Sequence, residues 1–291
     1  MRNTRAVALM SVVSVVVALS GTAQGNGDGG WPMVSPSVAS GNVDAVLTPT
    51  MYAIDEGTDS LYSIDTSTGA SSLIGPAGED FSFSGLAWDS WSQIMYVSDV
   101  TMNGPDWGLG RIDIQTGATT VIGSHVTTSN IWGLAFDCID NALYGADGGN
   151  QCLATINRGT GEASCVGSYG TGEPIGGLAF DNSADVLYGI GDTSLFTIDK
   201  ILGTATAIGP HGITMFGIAP GLEFDSATGT LYASTGSDTM LYILDPMTGV
   251  ASPIGAHGLD NLGGLASTTA PGDIDSIFHD GFESGNTSAW D

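Results

Sequence analysis

Three of the four histidines and all three cysteines recur at spacings that bear on metal or covalent chemistry. His125, His211 and His257 each stand two residues beyond the glycine of an Ile-Gly pair, at Gly123, Gly209 and Gly255. A shared zinc ion would need all three imidazoles at about 2 Å. Equivalent positions in successive repeats are instead spread around a ring, so these histidines read as structural loop residues. Among the cysteines, Cys152 opens a third strand of its repeat and Cys165 lies near the end of the fourth, so an antiparallel hairpin sets them side by side. Cys138 ends the first strand at the opposite face. A Cys152–Cys165 disulfide with Cys138 free is the expectation.

Carboxylates offer another chemistry. Glycoside hydrolysis needs two of them about 5–9.5 Å apart. Glu223 is the one charge at a position that is Ala87, Ala135, Ala179 or Ala266 elsewhere, which places it beside a central channel. There it would bind a cation or a sugar hydroxyl, or stand solvated in the channel. Any partner, such as Glu173 or Asp80, comes from a loop. No G-x-S-x-G elbow is present and Cys138 has no evident histidine partner, so nucleophilic catalysis has little support. No catalytic assignment follows.

The elements that position these residues come from a repeat. Gly85-Leu86-Ala87-Trp88-Asp89 returns at Gly133–Asp137, Gly177–Asp181, Gly221–Asp225 and, in part, Gly264–Ala266, its leucines 48, 44, 44 and 43 residues apart. Each unit reads as four short strands: this one, a Leu-Tyr strand, one ending in Ile-Asp and one ending in Ile-Gly. Thr-Gly pairs such as Thr116-Gly117 turn the last hairpin. Such a period predicts an all-β fold, a β-propeller of four-stranded blades. Tyr52 has no first strand ten residues before it, and Leu265 has no Leu-Tyr ten residues after it. Pairing Gly263–Ser267 with Met51–Asp55 would therefore close a ring of five blades, removing a free sheet edge; six blades or an open ring is the alternative. Asp89, Asp137, Asp181 and Asp225 should cap turns, and Tyr96, Tyr144, Tyr188 and Tyr232 should fill the core.

The blades resemble those of secreted bacterial propellers of the broad quinoprotein-like and YncE-like kind, over about Met51 to Ser267. That resemblance implies the propeller fold. The tryptophan-docking motifs that hold quinone cofactors are not recognisable, so no cofactor is carried over, although a bound calcium or other cation is among the candidate ligands.

With strands alternating in direction, the loops from fourth to first strand and from second to third share one face, where propellers generally bind ligands. The candidate binding residues are Glu223, Trp132, Glu173, Asp80, Trp107, Phe216 and Asn261. Glu79, Asn130 and Asp260 share the first kind of loop, and Asp99, Asp106, Asp147, Asn150 and Asp192 the second.

Residues 1–23 read as a secretory signal peptide, with Arg2 and Arg5 before an apolar run and small residues ending at Ala23. Residues 24–45 form a linker, 46–269 the propeller and 270–291 a flexible tail with Phe278, Phe282 and Trp290 among Gly, Ser and Asp. Without the signal, Arg111, Arg158 and Lys200 face 31 acidic side chains. Nucleic acid and anionic lipid are therefore poor partners on charge, and no nucleic-acid partner is expected. No other apolar run is long enough to span a bilayer. The expectation is a secreted or periplasmic monomer that acts as a binding or interaction module for a glycan, a cation or another extracellular protein. The alternatives are an extracellular carbohydrate-active hydrolase or lyase, and a purely structural scaffold.

Overall fold

The structure, a computed structural model, describes residues 50–101, 107–126, 130–214, 220–235 and 238–268. The signal, the linker, the tail, Phe216 and Asp106 lie outside the described residues. Strand formation follows the apolar alternation of each repeat. The leucines Leu86, Leu134, Leu178, Leu222 and Leu265 are 1–2% exposed, and the tyrosines Tyr96, Tyr144, Tyr188 and Tyr232 are likewise buried. Each unit therefore buries its first two strands against neighbours and leaves its fourth strand largely at the rim.

Among the described residues, twenty strands form five antiparallel sheets of four. The five inner strands, Leu262–Ser267, Leu86–Asp89, Ile131–Asp137, Ile175–Asp181 and Gly221–Asp225, begin blades 1 to 5. Blade 1 is completed by the other end of the chain: Met51 pairs with Ser267, Tyr52 with Ala266 and Ala53 with Leu265. This is the five-bladed closure that the unmatched repeat ends imply. The face bearing the hairpin turns from first to second and third to fourth strands is called lower, and the opposite, loop-bearing face upper.

Neighbouring blades meet backbone to backbone. The hairpin glycines Gly69, Gly117, Gly161, Gly203 and Gly249 all have φ between +75° and +82° and each lies against the fourth-strand glycine of the preceding blade, which follows isoleucine in four blades and Val166 in blade 3. A Cβ on Gly123 would sit 2.2 Å from the Thr160 carbonyl oxygen. Two residues past that glycine, the carbonyls of Ala77, His125, Tyr169 and His211 accept the N–H of Thr119, Ala163, Ala205 and Ala251 from the next blade. At the fifth interface the Ser71 hydroxyl donates to the His257 carbonyl at 2.7 Å. A repeated position is thus an interblade latch, and the histidines occupy it in three blades.

Gly123→Ala should lower stability by about 2–3 kcal/mol in urea titration, because backbone on both sides prevents relief of the overlap. Gly172→Ala, whose Cβ would meet nothing within 4 Å, should change it by less than about 0.5 kcal/mol; equal effects would contradict the close-approach account. A chain ending at Asp260 lacks the inner strand of blade 1 and should show no cooperative unfolding transition.

Candidate functional site

The lower end of the channel is lined by repetition. Trp88, Phe136, Phe180 and Phe224 stand next to last in their inner strands and pack with Ala266, Ala87, Ala135 and Ala179 of the preceding blades. At the fifth interface both sizes change: Glu223 stands where the alanine would, and Ser267 where the aromatic would. The Glu223 carboxylate fills the room that Ser267 leaves and accepts from its N–H and its hydroxyl, both at 2.8 Å. It borders a cavity of about 30 Å³ shared with Trp88, Phe136, Phe180, Asn182 and Phe224. Burial lifts its carboxyl to about 8, with the Ser267 donors pulling against that rise. Both donors thus come from Ser267, in the next blade.

Asp89, Asp137, Asp181 and Asp225 cap the turns after the inner strands, each accepting backbone N–H groups two or three residues on. Arg158 pairs with Asp89 and stands 5.1 Å over the Phe136 ring. Lys200 pairs with Asp137 at 2.8 Å and stands 5.2 Å over Phe180. Two of the three basic side chains among the described residues are thus bound into lower-face blade interfaces.

The upper face is varied. Trp132 lies against the Gly148 backbone, where a Cβ would fall 2.2 Å from the indole, and 5.6 Å from the Phe83 ring at a 31° tilt. Its indole N–H is buried without a partner. Asn261 donates through Nδ2 to Glu56 Oε2 at 3.2 Å, while Glu56 Oε1 accepts the Ser84 N–H at 2.6 Å. Glu173 accepts the Thr193 N–H at 2.6 Å and its hydroxyl at 3.0 Å. Trp107 opens the third strand of blade 2, half-buried, with its carbonyl bonded to the His125 N–H. Asp80 is exposed and its carbonyl accepts the Thr101 N–H. The structure thus brings Trp132 to Phe83, Asn261 to Glu56 and Glu173 to Thr193; it does not bring Glu223 to any of them.

Between these groups lies a buried polar set. Asp99, fully buried and at φ +51°, accepts the Ile131 N–H from blade 3 at 3.0 Å, and its second oxygen has no partner. Burial raises its carboxyl to about 9, and the Glu56 and Asp147 carboxylates push in the same direction. His125 Nε2 stands 3.8 Å from Asp99, while its Nδ1 donates to the Gly161 carbonyl. Burial lowers the pKa values of His125, His211 and His257, favouring neutral rings. Through Nδ1, His211 and His257 accept the N–H groups of Ile213 and Leu259, so they shape their own loops. No group of three or more His, Cys, Asp or Glu side chains suited to a metal ion occurs among the described residues.

Cys152 and Cys165 are disulfide-bonded, with Cα atoms 6.0 Å apart, and Cys138 is free. Glu56, Phe83 and Ser267 were not marked by sequence reasoning. For Ser267 a signal existed: it breaks the aromatic column beside the unit whose Glu223 breaks the alanine column.

No family model matches the chain, and no curated protein does. Among solved structures, a chain in the crystal structure of a nidogen/laminin complex is similar at 13% identity, over 76% of this chain and 98% of that one, with a TM-score of 0.52. A structural genomics protein of unknown function from Bacteroides thetaiotaomicron is similar at 17% identity, over 69% and 57% of the two chains, with a TM-score of 0.48. The nidogen/laminin likeness supports the propeller and extends no further than the fold. No helix among the described residues is long and apolar enough to cross a membrane.

Asp99 and Glu223 should tilt the pH dependence of stability. Both carboxyls are raised, so the folded chain holds protons that the unfolded chain has released, and stability falls as pH rises from the ordinary carboxylate range to about 9. Asp99→Asn and Glu223→Gln should each flatten that fall in urea titrations between pH 5 and 9. Unchanged slopes in both variants would show that the two carboxyls do not cause it.

Proposed function

We propose that this chain is an exported binding module whose upper face recognises a partner protein or peptide presenting basic side chains. The observation that carries this reading is the placement of the basic residues: acidic side chains lie on both faces, but the lysine and arginines of the described residues all lie toward the lower one. Arg158 and Lys200 sit in lower-face turns and Arg111 near the lower end of its strand. The upper loops hold Asp59, Glu79, Asp80, Glu173, Asp192 and Asp260 and, among the described residues, no lysine or arginine. Such a surface attracts cations and steers their approach.

The half-buried Phe83–Trp132 pair gives that field a place to act, since a guanidinium stacks on an aromatic face more readily than other cationic groups do. The divergence of the upper loops also fits recognition: the lower face repeats its residues from blade to blade, while the upper face changes them. The nidogen/laminin neighbour shares the scaffold and comes from a complex between proteins, which is consistent with this role. Export is supported by the signal-like leader and by the Cys152–Cys165 disulfide, a bond that persists outside the cytoplasm.

Calorimetry on the chain from Gln24 onward, with an arginine-containing decapeptide and a Gly/Ser decapeptide of equal length, tests the proposal. The basic peptide should bind with an affinity that falls about tenfold between 50 and 200 mM salt. Trp132→Ala, and separately Asp80→Asn with Asp260→Asn, should weaken it about tenfold. Equal binding of both peptides, or none, would overturn the reading. Exported material should begin near Gln24 on N-terminal sequencing.

A further inference from the structure

A crevice of about 670 Å³ opens on the lower face between blades 1 and 2, and its origin lies in the repeat. At the next interface, Arg158 lies over Phe136, pairs with Asp89 and donates to the Asn141 carbonyl at 3.2 Å and its side-chain oxygen at 2.8 Å. Lys200 fills the corresponding seat one blade on, over Phe180 and against Asp137. The corresponding residues between blades 1 and 2 are Ile114 for the cation, Trp88 for the ring, Thr268 for the aspartate and Gln93 for Asn141, and all four line the crevice. Isoleucine is too short and apolar to plug the seat as Arg158 and Lys200 plug theirs. The indole of Trp88 and the side chains of Ile94 and Ile114 are left lining an open groove whose remaining wall is mostly polar, with Arg111, Gln93 and Gln115 among its residues.

Both ends of the described propeller lie in its wall. Thr50 and Thr268 line the crevice, and the Thr268 N–H donates to the Thr50 carbonyl at 3.2 Å. We infer that the C-terminal segment 271–291 docks back into this groove, with Phe278 and Phe282 over Trp88 where the other interfaces hold a cationic side chain. Length permits it: Phe278 follows Thr268 by ten residues, a reach of about 33 Å when extended. Chemistry selects this segment over the other end of the chain. Residues 271–291 hold Phe278, Phe282 and Trp290 with five acidic side chains, whereas 24–49 hold Trp31 with two. Arg111 lines the groove and, among the described residues, makes no ion pair. Asp113, also in the wall, is turned to capping its own hairpin through the Gln115 N–H at 2.8 Å. An acidic, aromatic segment complements such a groove; the proposal concerns the lower face and stands independently of recognition on the upper one.

Hydrogen–deuterium exchange on the chain from Gln24 to Asp291 reads the docking directly. Amides of residues 276–284 should exchange at least tenfold more slowly than in a synthetic peptide of residues 271–291. Ile114→Arg, which supplies the missing plug over Trp88, should return them to within twofold of the free peptide. Phe278→Ser with Phe282→Ser should do the same, and being outside the propeller this variant tests the idea even if Ile114→Arg fails to fold. An unprotected segment in the parent chain would overturn the proposal. So would protection that survives either variant in a folded protein, protection that rises with protein concentration and so reports a second copy, or protection of residues 24–49 in its place.

Discussion

Everything in this molecule rests on the approach of one blade's hairpin glycine to the strand-end glycine of the blade before it. At each of the five interfaces a side chain on either partner would overlap backbone, so at the rim the blades meet at main-chain contact distance, outside the side-chain packing nearer the axis. That contact fixes the spacing of the blades, and the spacing brings the carbonyl two residues on within reach of the next blade's N–H. Once the rim is fixed in this way, the leucines and alanines of the inner strands are held in register, and the loops above them have fixed footings from which to vary.

The inner ring shows how strict that register is. Replacing alanine by glutamate at one inner position would drive a carboxylate into a neighbouring aromatic ring, and the chain accommodates it by reducing that ring to Ser267. The paired change keeps the volume and supplies two donors, so a group that would be costly if buried alone is satisfied. Asp99 is a looser case. Where Asp55 and Asp147 bond to residues three positions on, its carboxylate accepts the Ile131 N–H of the next blade.

The architecture was legible because structure at repeated positions is stated five times over. The GLAFD leucine, the turn-capping aspartates, the Thr-Gly hairpin and the unmatched first and last units together specify blade number and closure, and the hairpin geometry specifies the disulfide. The candidate binding face was less legible for the converse reason. Its residues do not repeat, so nothing in the spacing says which way they point. Asn261 and Glu173 lie on the expected loops, and strand pairing within each blade sets them beside Glu56 and Thr193, but nothing at these unrepeated positions says which polar groups bond to one another. Glu223 was noticed as the exception to its column, while the donor that satisfies it lay in the next column and the next blade.

Blade 1 takes its inner strand from one end of the described chain and its other three from the opposite end, and Thr50 and Thr268 leave the ring hydrogen-bonded to each other. The ring therefore has no privileged starting point: joining those two ends and reopening the chain at any other hairpin would preserve every blade contact. What the natural cut decides is order in time. A ribosome delivers four and three-quarter blades before it delivers the last six-residue strand, so the growing chain carries an unpaired sheet edge through nearly all of its synthesis and loses it only at the end.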